Sequence, residues 1–145
     1  MTEDERHATF DECFEYNERL RANGQALEFE VIPGISSVQV LAAKHRIALN
    51  RIGESVLLTT GRKLAEGFPD DAGSVVVLLD GVQAFADLAD QDLEIFWGAY
   101  LGTEHEILRA GKLAQVKDEI AAVRRQARER HGWIMDVYLL RRPDR

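Results

Sequence analysis

Residues 74–79, S-V-V-V-L-L, are the most apolar run in the chain. Their β-branched content and short length mark a strand buried on both faces, since a strand with one wet face would alternate apolar with polar residues. Such a strand needs covering layers above and below its sheet, and helical stripes elsewhere supply them. Val116, Ile120, Val123 and Ala127 recur at helical spacing, with Lys117, Glu119, Arg124, Arg125, Arg128 and Arg130 on the other faces. The predicted fold class is therefore α/β, a mixed sheet with covering helices.

The rest of the chain can be placed around that strand. Residues 1–8 are charged and predicted to fray, after which Thr9 and Glu12 form a capping box for a helix carrying Phe10, Cys13, Phe14 and Leu20, stopped by Asn23 and Gly24. Phe29 and Val31 alternate with acidic neighbours as in a half-buried strand. Pro33 and Gly34 break it, and Ser36 opens a helix in which Gln39 completes a second capping box. This helix carries Val38, Val40, Leu41 and Ala42 and ends near His45 and Arg46. A strand at residues 55–60 runs into T-T-G-R (59–62), and residues 63–73 fit a loop or a short helix equally. Asp80 and Gln83 read as a capping box for a helix with Val82, Phe85 and Leu88 inward. Residues 94–100 form a strand, 101–103 a turn, and 107–113 a returning strand. Gly132 stops the last helix, whose arginines read as a solvated face favoured by the helix dipole. Residues 133–140 are apolar enough for a strand inside the sheet.

Composition narrows the function. A chain of 145 residues, 46% hydrophobic, is long enough for one real core, and a formal charge of −7 argues against a dedicated nucleic-acid binder. The single cysteine, Cys13, excludes an internal disulfide and falls on the apolar side of its helix, so packing is its expected role. No run is long and apolar enough for a membrane span or a secretion signal, which gives a cytoplasmic protein as the expectation. His7, His45, His105 and His131 stand apart without metal-ligand spacing, so no metal site is expected. No nucleophile elbow, Walker loop or G-x-G-x-x-G fingerprint occurs, so catalytic residues are not identifiable. An enzyme lacking such groups can still act by positioning a reactive donor against an acceptor, worth on the order of 7–11 kcal/mol of the barrier.

The joint at residues 30–37, E-V-I-P-G-I-S-S, has the form of a strand, a tight turn and a helix start. Unpaired N–H groups converge at such a point and can hold an anionic ligand group. Ser36 capping its own helix explains the same residues. With T-T-G-R, L-L-D-G (78–81) and L-G-T (101–103), however, this joint is similar to the signatures of the tetrapyrrole (corrin/porphyrin) methyltransferases, which use S-adenosylmethionine. The likeness extends through 32–53, W-G-A-Y-L-G-T and G-W-I-M-D-V-Y-L-L-R-R, covering residues 27–142. It is closest to the branch that methylates C-1 of precorrin-5 with release of acetate.

The resemblance implies that Ser36 and Ser37 contact the methionine portion of S-adenosylmethionine. Asp80 and Gly102 would line the adenosine side, mainly through backbone atoms. Asp80 stands where relatives often carry Met, which leaves no family role for its carboxylate. Arg51, Arg62 and Lys63 become the candidate counter-charges for the tetrapyrrole carboxylates, although as exposed cations they also fit an ordinary solvated surface. The family's N-terminal glycine-rich loop and G-D-P segment do not occur. The expected organisation is a charged segment and helix at 1–24, then the family's C-terminal domain at 25–145. That is half of a cleft, from a truncated reading frame, a fragment or a decayed gene, with little activity by itself. The expected partners are precorrin-5, a separate N-terminal domain and a second copy of the chain, with no nucleic acid and no membrane. An alternative is a non-catalytic, self-associating module or remnant of the family, with Trp97, Tyr100, Phe10 and Phe14 as exposed apolar patches. Relatives with the same joints that methylate ribosomal RNA or a protein are a third reading.

Overall fold

The computed structural model describes residues 10–25 and 30–143, the side chains of residues 10–13 excepted. The chain divides into two compact units, Met1–Gly34 and Ile35–Arg145. In the first, helix α1 (Phe10–Ala22) carries Glu15–Arg19 and Glu18–Arg21 ion pairs and ends where Gly24 adopts φ 71. Thr9, Phe29 and the side chains of Phe10, Glu12 and Cys13 lie outside the described residues.

The second unit is built on one sheet. Strand β2 (Ser74–Leu78) pairs in parallel with β1 (Val56–Thr60) and antiparallel with β5 (Asp136–Arg141). Strand β5 in turn pairs antiparallel with β3 (Glu94–Ala99), and β3 with β4 (Ile107–Lys112), so the order is β1-β2-β5-β3-β4. The apolar run 74–79 is thus an interior strand, and alternation distributes its side chains to two cores. Val75 and Val77, with Ile95, Trp97, Tyr138 and Leu140, face helix α4 (Leu113–His131), the short helix α3 (Gly61–Leu64) and a 3₁₀ turn (Ala84–Leu88). Val76, Val137 and Leu139 face helix α2 (Ser37–His45), which inserts Val38 and Leu41.

Helix α2 sits close to the sheet because Gly98 has no side chain. A Cβ there would lie 3.0 Å from Leu41 Cδ1 and 2.7 Å from Leu101 Cδ2. At the start of α2, Gln39 Oε1 accepts the Ser36 backbone N–H at 3.2 Å, as the capping box requires, and it also accepts the Ser36 hydroxyl. The helix ends with Arg46 in the left-handed region, φ 56. None of the described helices is long and apolar enough to cross a membrane.

Four expectations need correction. Residues 30–35 form no strand: they pair with no edge, and Val31 and Ile32 are exposed. The 80–83 capping box is absent. Gln83 takes φ 60 before the 3₁₀ turn, Val82 points outward, and the Asp80 carboxylate accepts the N–H groups of Val82 and Ala84 instead. Arg124 is not part of a solvated face, because it lies on the inward stripe with Ile120 and Ala127 and is buried. Trp97 and Tyr100 are buried too, since β3 alternation turns Trp97 under α4, where its indole N–H donates to Asp136 at 3.0 Å. They provide no surface for self-association.

Candidate functional site

Because β2 and β3 run antiparallel to β5, the end of β2 (Leu78), the end of β3 (Ala99) and the start of β5 (Asp136, Val137) meet at one edge of the sheet. The N-terminus of α2 comes to the same edge. Between them lies a largely apolar cavity of ≈ 200 Å³ whose walls include Ser37, Leu79, Tyr100, Thr103, Trp133 and Met135. Loops at the carboxyl ends of strands in open α/β sheets are the usual place for a ligand, and apolar walls with a few polar groups suit a flat heterocycle.

Two of those walls are held in a backbone region that side chains rarely adopt. Leu79 has φ 55 and Tyr100 has φ 51, each at the residue following a strand. A non-glycine residue there costs on the order of 1 kcal/mol, and such costs persist where the surroundings enforce them. The surroundings do so here. The Tyr100 N–H donates to the Met135 carbonyl at 2.9 Å, its hydroxyl to the Trp133 carbonyl at 2.6 Å, and its carbonyl accepts the Thr103 hydroxyl at 2.7 Å. Burial, then the nearby Asp136 carboxylate, raise the Tyr100 pKa against the opposing pull of Arg124, so the phenol stays a neutral donor.

The Leu79 wall is held from beneath by a buried polar network. Asp80, 4% exposed, accepts the Tyr138 hydroxyl at 2.5 Å, Ala84 N–H at 2.8 Å and Val82 N–H at 3.2 Å. Gly61 makes room for it, as a Cβ at that position would overlap the Asp80 carboxylate. Arg124 donates through Nη2 to the Asp80 carbonyl at 3.1 Å and through Nε to Asp136 Oδ2 at 3.0 Å. Asp136 itself borders the cavity. One guanidinium therefore ties the Leu79 wall to the start of β5, and every charge in the network has a partner.

The turn at Gly102 is fixed from outside. Gly102, φ 78, donates its N–H to Glu106 Oε2 at 2.8 Å, and Lys44 Nζ of α2 pairs with Glu106 Oε1 at 2.9 Å. The Gly102 bond first, then Lys44, hold the Glu106 carboxyl below its usual range.

The predicted residues fall as follows. Ser37 borders the cavity, while Ser36, exposed, caps α2 beside it. Gly102 sits between Leu101 and Thr103, which both line the cavity. Asp80 adjoins the lining residue Leu79 but has both its carboxylate and its carbonyl engaged in the network. Arg62 and Lys63 follow β1 at the same edge, Lys63 paired with Glu66 at 3.0 Å. Arg51 does not join them. It lies before β1, about 13 Å away along a five-residue strand, where its guanidinium donates to the Arg142 carbonyl at 2.7 Å. The sequence reading missed Glu106, Arg124, Asp136 and Tyr138. An acid within the apolar segment 133–140 and an arginine on the inward stripe of α4 were the available signals.

A sheet of this order with a cavity at the carboxyl ends of its strands accords with the signatures at 33–37 and 101–103, and the chain belongs to the Tetrapyrrole (Corrin/Porphyrin) Methylases, whose family pattern matches residues 8–117. Within that family it is similar to the precorrin-6A synthase (deacetylating) of Sinorhizobium sp., 51% identical over 134 residues, 92% of this chain and 51% of that enzyme. It is likewise similar to the crystal structure of a cobalamin synthesis related protein (CobF) from Corynebacterium diphtheriae, with TM-score 0.83, 43% identity, and coverage of 93% of this chain and 57% of that one. The uroporphyrin-III C-methyltransferase of Thermus thermophilus, solved with S-adenosylhomocysteine, shares the fold at TM-score 0.52 and 20% identity, over 91% of this chain and 60% of that chain. The chain thus spans about half the length of the curated relative it matches.

Proposed function

We propose that the chain supplies the donor-binding half of an S-adenosylmethionine-dependent corrin methyltransferase, a precorrin-6A synthase (deacetylating). One observation carries the assignment of roles. Ser37, the Leu79 wall and the turn around Gly102, distant in sequence, border a single cavity at the carboxyl edge of the sheet. Identity to the Sinorhizobium enzyme supports the choice of substrate within the family.

In this proposal the apolar walls at Leu79, Tyr100 and Met135 take the adenine, and Ser36 and Ser37 at the start of α2 take the methionine portion of the donor. Orphan N–H groups and the positive end of the helix dipole favour a carboxylate there. The donor would supply its sulfonium methyl for C-1 of precorrin-5, leaving S-adenosylhomocysteine, and a water molecule would supply the oxygen with which the acetyl fragment leaves as acetate. The chain contributes position, and the neutral phenol of Tyr100 remains bound to the Trp133 carbonyl. Arg62 and Lys63, exposed at the same edge, are the candidates for pairing substrate carboxylates. Arg51 is not.

A cleft closed on one side only does not exclude water, so the described residues are proposed to act with the other half of a full-length enzyme. A chimera in which residues 30–143 replace the aligned half of the Sinorhizobium enzyme tests this. The expected result is methylation of precorrin-5 with release of acetate. A folded chimera that binds S-adenosylhomocysteine yet leaves precorrin-5 unmethylated would contradict the substrate assignment.

A further inference from the structure

A second cavity, of ≈ 530 Å³, lies beside the first, bordered by the chain at Gly81, Gln83 and Gly132 and by Arg124, Arg125 and Arg128 of α4. In a chain of net charge −7 it gathers three guanidinium groups against one carboxylate, Glu129. The three arginines divide into two kinds. Arg124 is buried and spent on Asp136 and the Asp80 carbonyl. Arg125 and Arg128, one helical turn apart and exposed, make no hydrogen bond or ion pair with any described residue. Glu129 stands four positions from Arg125, and still the two do not pair.

The helix dipole accounts for cations in the last turn of α4, Arg128 and Arg130. It does not account for Arg125, nor for the loop opposite. There Gln83 is held at φ 60, in the left-handed region, next to the open Gly81. Gly81 and Gly132 leave the main chain bare at the rim, where an added Cβ would touch nothing within 4 Å. Two planar cations without a partner among the described residues, set beside open backbone, make a complementary set for one kind of group. It is an oxyanion.

We propose that Arg125 and Arg128, facing Gly81 and Gln83, form an oxyanion-binding pocket for a carboxylate or phosphate group of a small ligand. The two arginines grip the oxyanion beside the open main chain at Gly81. The pocket is separate from the donor cavity and shares with it only the chain at residues 79–81 and 132–133. Occupancy would brace the same Leu79 wall that Arg124 braces from within.

Amide and arginine Nε NMR titrations of the whole chain at low ionic strength test this, with inorganic phosphate in one series and citrate in another. Sodium chloride at matched ionic strength is the reference. The expected result is saturable shifts at Gly81, Gln83, Arg125 and Arg128. Affinity should fall at least about tenfold in Arg125→Gln/Arg128→Gln, the scale of a lost charged hydrogen bond, and change less than about twofold in Arg130→Gln. Tighter citrate assigns a carboxylate ligand, tighter phosphate a phosphoryl one. Shifts that match chloride for both probes, or a folded double variant that binds as the parent does, would overturn the proposal. Ser37 and Tyr100 amides report the donor cavity independently, so failure here is distinguishable from failure there.

Discussion

Tyr138→Phe isolates the bond on which the Leu79 wall rests. The hydroxyl donates to Asp80 Oδ2 at 2.5 Å, in the short range of charge-assisted O–H···O⁻ bonds. Hydrogen bonds to charged groups contribute about 1.5–3 kcal/mol. Asp80 Oδ2 keeps the Ala84 N–H at 2.8 Å, so the carboxylate is not orphaned and the lower end, about 1.5 kcal/mol, is expected. The ring shape is unchanged, and its edge contact with Phe85 at 5.2 Å persists. Urea unfolding followed by circular dichroism at pH 7 measures the difference. The two proteins should also diverge in alkali. Burial, then the Asp80 hydrogen bond, push the Tyr138 pKa far above its ordinary value. A pKa raised on folding contributes stability that is fully present below the unfolded value, about 10, and is lost as pH rises towards the folded one. Wild type therefore loses this contribution above about pH 10, and Tyr138→Phe lacks that component of the loss. A cost below about 0.5 kcal/mol, or a double-mutant cycle with Asp80→Asn showing no coupling, would refute the account of how the wall is held.

Three further perturbations probe the same edge. Gly61→Ala places a Cβ 2.7 Å from the Asp80 Cβ and should cost about 1–3 kcal/mol by overpacking, measured by the same urea titration. Leu79→Gly relieves the left-handed backbone at φ 55 and removes a side chain that is 76% exposed, so stability should hold or rise while S-adenosylhomocysteine binding, read by calorimetry, weakens. Glu106 has its pKa lowered by the Gly102 N–H and then Lys44. Its contribution is thus present above the ordinary carboxylate value and lost as pH falls through the lowered one. The protection of the Gly102 amide, its exchange rate relative to the intrinsic rate at the same pH, should therefore fall in acid, and Glu106→Ala should show that lower protection already at pH 7.

The sheet was largely legible in the sequence because its strands are short apolar runs ended by strong punctuation. Asp80 and Gly81 follow β2, the Gly102 turn follows β3, and Gly132 ends α4 ahead of β5. The strand expected around Val31 failed for the opposite reason, Phe29 lying outside the described residues. Alternation states only that one face could be buried, and here it is not, since residues 30–35 have no regular structure and Val31 and Ile32 are exposed. The polar network was not legible, because it joins residues 44 and 58 positions apart, Arg124 and Tyr138 with Asp80. A local motif offered Asp80 a complete explanation in the capping box with Gln83. Tertiary contacts then took the carboxylate for Tyr138 and left Gln83 in a left-handed backbone. Charge alone also did not say that Arg51 lies before β1 while Arg62 and Lys63 follow it.

Amide NMR of the whole chain during titration with S-adenosylhomocysteine bears most directly on the proposed half-site. Saturable shifts confined to Ser37, Leu79, Tyr100 and Gly102, with a dissociation constant in the millimolar range expected of a single wall, are predicted. Saturation with the shifts at other surfaces, or no shift at those four amides while the chain remains folded, would contradict it.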